Sequence, residues 1–227
     1  LTKKRVYLIT GFMCDERIWS RVETLLQDSY EFIYIPIPNE NSFEKIVKKI
    51  HIDDENINLI GFSLGGYIAS YYALKNYLKI NKVLVISSTL CSLNDDEIRQ
   101  REFALKLVKE YGFSILNDKK IKTLIENKND NSLIALIKDM YKNNGKEKFI
   151  NLLQATTYRK DLSNMLQKSN TDFNFLYSED DILLDKNWID TIKENTNFLF
   201  ESIPSDTHMI PLEKADYLKD YISRIIN

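Results

Sequence analysis

Glycine is scarce in this 227-residue chain, and four of its six glycines fall in two short segments. Gly11 lies in Leu8-Ile9-Thr10-Gly11-Phe12, and Gly61, Gly65 and Gly66 lie in Gly61-Phe62-Ser63-Leu64-Gly65-Gly66. The second segment has the spacing Gly-X-Ser-X-Gly, in which a serine sits on a sharp strand-to-helix turn with its hydroxyl above a sheet. Glycines flank it because a side chain there would collide with the neighbouring strand and helix as the backbone folds back. The surrounding sequence agrees: residues 57–60 form an apolar-rich run of strand length, and residues 67–74 continue as an apolar helix.

The first half of the chain alternates short apolar runs with amphipathic stretches, the pattern of parallel strands joined by helical crossovers. Strands are predicted at 5–10, 31–35, 57–61 and 83–87, with helices at 18–27, 42–50 and 64–77 between them. After Ser87 the pattern reads as helix alone, at 95–111, 114–127, 132–143 and 147–158. Strand signals resume at 173–177 and 198–200, accompanied by helices at 186–194 and 213–226. The expected architecture is α/β, a mostly parallel sheet of about six strands built from residues 1–88 and 171–227, with a helical cap inserted over 89–170.

A serine hydroxyl is a poor nucleophile near neutral pH and needs a base within hydrogen-bond reach, itself oriented by a carboxylate. The chain has two histidines. On a parallel sheet, catalytic groups gather at the carboxyl ends of the strands. The loop after the last strand, which holds His208, emerges there; the one holding His51 does not. The carboxylate is expected after the strand at 173–177, where Glu179, Asp180 and Asp181 are available. A developing oxyanion also needs N–H donors. The backbone of Leu64, at a helix start, supplies one, and Phe12, after the first strand, the other.

Charge excludes some functions. With 31 basic and 33 acidic side chains the net charge is −2, which gives no electrostatic reason to expect nucleic acid. Cys14 and Cys91 are too few and too isolated for a disulfide framework, and the histidines form no zinc-site pattern. The apolar run at 6–9 is too short for a signal peptide, and no run approaches the ~18 residues of a spanning helix. The expectation is a soluble, cytoplasmic protein with no membrane span, metal or organic cofactor.

With these residues in place, the chain resembles the α/β-hydrolase superfamily along nearly its whole length, and within it the bacterial carboxylesterase-like members with a four-helix cap. Gly11-Phe12-Met13-Cys14-Asp15-Glu16-Arg17-Ile18-Trp19 is similar to their Gly-Met-Leu-Cys-Asp-X-Arg-Leu-Trp oxyanion segment. Gly61-Phe62-Ser63-Leu64-Gly65-Gly66 resembles their Gly-Phe-Ser-Met-Gly-Gly elbow, and residues 207–213 their Gly-His-X-X-X-X-Glu. The cap segments Arg99-Gln100-Arg101 through Phe113, and 155–162, also match. The resemblance implies a serine esterase without the usual N-terminal hairpin, in which Ser63 attacks, His208 transfers the proton and Phe12 and Leu64 hold the oxyanion. It favours Asp181 as the acid through the recurrent Gly-X-X-Asp, with Ser178 in the glycine position; Asp180 is the rival. Thr10, Thr207 and Ser178 depart from the family pattern.

The implied substrate is a small acyl ester. A similar enzyme cuts esters of pimeloyl-acyl carrier protein in biotin synthesis, and the cap lysines 119, 120, 142, 146 and 148 suit an acidic acyl carrier. A thioesterase, a carbon–carbon bond hydrolase or lyase, and a non-catalytic binding homologue are the alternatives. Arg159 is a candidate for binding an anionic substrate group.

Overall fold

The computed structural model describes residues 3–226. Its strands are β1 (Lys4–Ile9), β2 (Tyr30–Ile35), β3 (Ile57–Phe62), β4 (Ile80–Ile86), β5 (Asp172–Ser178) and β6 (Leu199–Ile203). They form one sheet in the order β2-β1-β3-β4-β5-β6, and every neighbouring pair is parallel. Helices α1 (Ser20–Leu26), α2 (Phe43–Lys48) and α3 (Leu64–Lys75) connect the first four strands. Between β4 and β5 lie α4 (Asp95–Tyr111), α5 (Asp118–Lys122), α6 (Asn131–Thr156) and α7 (Ser163–Gln167). The chain closes with α8 (Lys186–Asn195), α9 (Ile210–Glu213) and α10 (Ala215–Ile225).

Strand side chains alternate between two faces, and both are buried, which is why the strands read as near-continuous apolar runs. Val6, Leu8, Leu84 and Ile86 face Val22 of α1 and Leu218, Tyr221 and Ile222 of α10. Their neighbours Tyr7, Ile9, Val83 and Val85 face Ile46 of α2, Ile68 of α3 and Ile189 of α8. Trp19 anchors the first of these layers, with its ring edge-on to Phe62 at 6.4 Å. No helix among the described residues is long and apolar enough to cross a membrane.

Two differences from the sequence pattern have local causes. The predicted helix at 114–127 shrinks to Asp118–Lys122: Asn117 caps its start, Thr123 turns its hydroxyl back to the Lys120 carbonyl, and the Leu124 carbonyl accepts from His208 N–H at 2.8 Å instead of from a further helical turn. The two helices predicted at 132–143 and 147–158 join into α6 through a kink at Gly145, which has φ 72° and ψ 177°.

The elbow glycines are required by space. A Cβ on Gly65 would lie 2.3 Å from Thr10 O and 2.4 Å from Ile9 O, and one on Gly61 would lie 2.3 Å from Gly65 O. These neighbours are backbone atoms with nowhere to move. Gly65→Ala is therefore expected to lower stability by roughly 3 kcal/mol or more. Gly145→Ala, where a Cβ meets nothing within 4 Å and only the positive φ is strained, should cost about 1–2 kcal/mol. Urea midpoints of the two variants measure the contrast, and equal losses would refute the close-approach account.

Candidate active site

Because β3 ends at Phe62 and α3 begins at Leu64, Ser63 alone makes the turn, at φ 53° and ψ −120°. Such a backbone costs an L residue roughly 1–3 kcal/mol. Neighbours hold it: Ser63 N–H donates to Ile86 O, and the Ser63 carbonyl accepts Gly66 N–H, both at 2.9 Å. The Leu64 N–H, at the first position of α3, has no acceptor within its own helix.

The loop after β1 runs beside the serine. A Cβ at Gly11 would stand 2.9 Å from the Phe62 ring and 3.3 Å from Ser63 Cβ, so the bare glycine lets the two segments touch. The tight bend itself falls elsewhere: Cys14 N–H closes a turn onto Gly11 O at 3.2 Å, and Met13 takes the positive φ of 56°. Phe12, at the centre of that turn, packs edge-on against Phe149 of α6 with ring centroids 5.7 Å apart.

His208 sits in the loop between β6 and α9, with its Nε2 2.9 Å from Ser63 Oγ and its Nδ1 2.7 Å from Asp181 Oδ2. With Nδ1 protonated, the ring donates to Asp181 and accepts from the serine hydroxyl. Asp181, its side chain 1% exposed, takes Leu183 N–H on its other oxygen at 3.0 Å. Asp180 points away, 75% exposed and paired with Lys186, so the structure brings Asp181 to the histidine. Thr207 and Ser178 occupy ordinary negative φ, so neither position needs the family's glycine. His51 is exposed ahead of β3 and has no place near Ser63.

Ser63 and His208 open into a cavity of about 400 Å³ whose lining is mostly apolar, including Phe12, Met13, Leu116, Met140 and Phe149. A larger concavity near Leu74, Tyr77 and Met165 lies away from both residues. Of the aromatic and aliphatic side chains that the sequence assigns to the inserted helices, Leu116, Met140, Tyr141 and Phe149 reach the cavity, whereas Phe103 and Tyr158 are exposed.

The cavity also holds a cation that sequence reasoning passed over. Arg101, on α4, donates Nη1 to Thr156 Oγ1 at 3.0 Å and forms no salt bridge among the described residues. Burial pulls its pKa down to about 10, so it stays charged near neutral pH. Glu97, on the same wall, turns its carboxylate back to the Asn94 N–H in a capping box. Arg159 has a different role: it donates to the carbonyls of Cys91 and Thr89 and covers the Tyr67 ring at 4.8 Å. Only a position on the inner face of α4 separates Arg101 from the surface cations, and the Arg99-Gln100-Arg101 spacing is the one trace of it in the sequence.

These features match known proteins. A family profile described as the alpha/beta hydrolase fold covers residues 29–125. The enol-lactonase from Burkholderia xenovorans LB400 superposes with a TM-score of 0.86 at 12% identity, over 100% of this chain and 92% of that one. A thermophilic esterase from Thermogutta terrifontis gives 0.83 at 18% identity, over 99% and 90%. The chain has the α/β-hydrolase fold. A Haemophilus influenzae protein, named provisionally as a 2-succinyl-6-hydroxy-2,4-cyclohexadiene-1-carboxylate synthase, is 27% identical over 203 residues, covering 82% of this chain and 78% of that one. Within the α/β-hydrolase fold, the row formed by Ser63, His208 and Asp181 stands at the carboxyl ends of β3, β5 and β6.

Cys14 also touches the cavity, but burial raises its thiol pKa to about 12. At pH 8 the thiol form therefore dominates, and the buried sulfur is a poor nucleophile. Iodoacetamide at pH 8 should leave Cys14 unmodified in the folded protein and label it once urea unfolds the chain. Mass mapping of native alkylation to Cys14 within minutes would contradict this.

Proposed function

We propose that the protein is a serine hydrolase acting on carboxylic esters. The supporting observation is the continuous hydrogen-bonded row Asp181, His208, Ser63, ending at the mouth of an apolar cavity. Ser63 Oγ attacks the acyl carbonyl while His208 Nε2 takes its proton, and Asp181 stabilises the resulting imidazolium. The backbone N–H groups of Leu64 and Phe12 receive the oxyanion, in a site where such donors are worth several kcal/mol. The proton then passes from His208 to the leaving alcohol. Water, activated by the same histidine, releases the acid from the acyl-enzyme.

The acyl group entering the cavity is predominantly apolar, and Arg101 suits one that ends in a carboxylate. An unpaired guanidinium in an apolar wall is a costly arrangement that a substrate anion would relieve. The same observation favours a second reading, an elimination on a carboxylate-bearing substrate, since the Haemophilus influenzae relative is named for a product that is itself a carboxylate. The cap lysines give less support to a carrier-linked substrate. Lys120 is exposed at the cavity rim, whereas Lys148 is half-buried, its pKa lowered by that burial, so the five lysines do not form one fully exposed face.

A fluorophosphonate probe should label the wild type and leave Ser63→Ala unlabelled; labelling of both, or of neither, would reject the serine-hydrolase reading. Quenched turnover followed by intact mass separates the two readings, because ester hydrolysis leaves an acyl group on Ser63 and elimination does not. In an ester panel, Arg101→Ala should lose about 100-fold in kcat/KM on acyl chains with a terminal carboxylate, equivalent to the 2–3 kcal/mol of a truncated buried charge contact. Neutral esters of the same length should change by less than about threefold.

A further inference from the structure

The loop that carries His208 has no regular structure of its own: β6 ends at Ile203 and α9 begins at Ile210. Something else must hold the imidazole, because a catalytic hydrogen bond tolerates only about half an ångström of misplacement. The contacts around the loop converge on Glu213, the last residue of α9. Its carboxylate accepts the Glu126 N–H at 2.7 Å on one oxygen and the Asn127 N–H at 2.8 Å on the other, and it also accepts the Thr207 hydroxyl. Thr207 Oγ1 in turn accepts the Met209 N–H at 2.9 Å. Between them, His208 N–H donates to the Leu124 carbonyl at 2.8 Å. Residues 207, 208 and 209 are thus each tied, directly or through Thr207, to the segment between α5 and α6.

We infer that Thr207 and Glu213 act as a positioning pair, through which the inserted helices hold the catalytic histidine in register with Ser63 and Asp181. This rests on the serine-hydrolase reading. The departure from glycine at position 207 then has a purpose. The backbone there needs no positive φ, and the hydroxyl of a fully buried threonine supplies the link between the Met209 amide and Glu213 that glycine cannot make. The two irregular segments, 204–209 and 123–130, meet directly at the His208 N–H and the Leu124 carbonyl and are braced further through the Glu213 carboxylate. The nearby pairs Lys128–Asp206 and Lys214–Glu126 are partly open to solvent, which screens them.

The pair makes demands that a purely structural role does not. Thr207→Val removes the hydroxyl and keeps the shape; Glu213→Gln keeps the size and loses the charge and one acceptor; Thr207→Ser restores the hydroxyl. With a short p-nitrophenyl ester, Thr207→Val and Glu213→Gln should each lower kcat about tenfold or more with KM within about twofold, and the rate of fluorophosphonate labelling should fall in parallel. Thr207→Ser should recover most of the rate, and the double variant should be no worse than the poorer single one, because the two residues form one unit. The downfield proton resonance of His208 Nδ1–H, hydrogen-bonded to Asp181, should be sharp in the wild type and broadened or lost in Thr207→Val. That measurement needs no substrate, so it still decides the inference if wild-type labelling fails and the hydrolase reading falls.

Wild-type kcat and an unchanged imidazole resonance in Thr207→Val and Glu213→Gln, whatever their melting temperatures, would overturn the inference. So would a loss confined to KM. Should Thr207→Val fail to fold, Glu213→Gln and Thr207→Ser carry the same comparison.

Discussion

The rest of the molecule depends on how closely three backbone segments meet at the elbow. The start of α3 lies against the carbonyls of Ile9 and Thr10 at the end of β1, and the last residues of β3 lie under Gly65. No side chain fits in that junction. Because it is so tight, the strained Ser63 and the loop bearing Phe12 are held against each other, and a side chain at Gly11 would push them apart. The sheet and its two apolar layers supply the rigidity against which this contact is made.

Charge in the site is handled by enclosure. Asp181 is almost completely removed from water, and the Leu183 amide and the His208 imidazole satisfy its two oxygens. A carboxylate in such a place is tolerated only because it is paired and hydrogen-bonded. Its neighbour Asp180, one residue earlier in chain, stays in solvent with Lys186. Two adjacent aspartates therefore have opposite environments, and only the enclosed one can stabilise a cation forming on the histidine. Arg101 presents the complementary case, a largely enclosed charge that donates to a hydroxyl and has no salt bridge among the described residues.

The parts of this architecture that were legible in the sequence are those governed by local pattern. Strand runs, the elbow and the order of serine, acid and histidine follow from periodicity, glycine spacing and parallel-sheet geometry, each of which acts over a few residues or one crossover. The parts that were not legible depend on contacts between distant segments. The helix predicted at 114–127 stops early because the Leu124 carbonyl is engaged by a residue 84 positions away. The sequence pointed to Arg159 as an anion-binding candidate and passed over Arg101, whereas packing puts Arg101 in the cavity and lays Arg159 across loop carbonyls. Ser178 and Thr207 depart from the family pattern of glycine, yet both positions have backbone angles open to any residue. At Gly11 the pattern located the loop, and the positive φ within that turn falls on Met13.

Phe12 is one of several residues that join the inserted helices to the sheet, and it does so from the loop after β1. Its amide belongs to the catalytic end of the sheet, while its ring belongs to the small aromatic cluster of the inserted helices, with Phe113, Tyr141 and Phe149. An insertion of this kind is often regarded as an exchangeable module that diversifies a conserved core. Here the seam between the inserted helices and the core includes a residue whose ring and backbone serve different sides. Evolution or engineering that replaces these helices inherits a constraint at position 12: the replacement must either rebuild an aromatic seat for that ring or come with a different loop after β1.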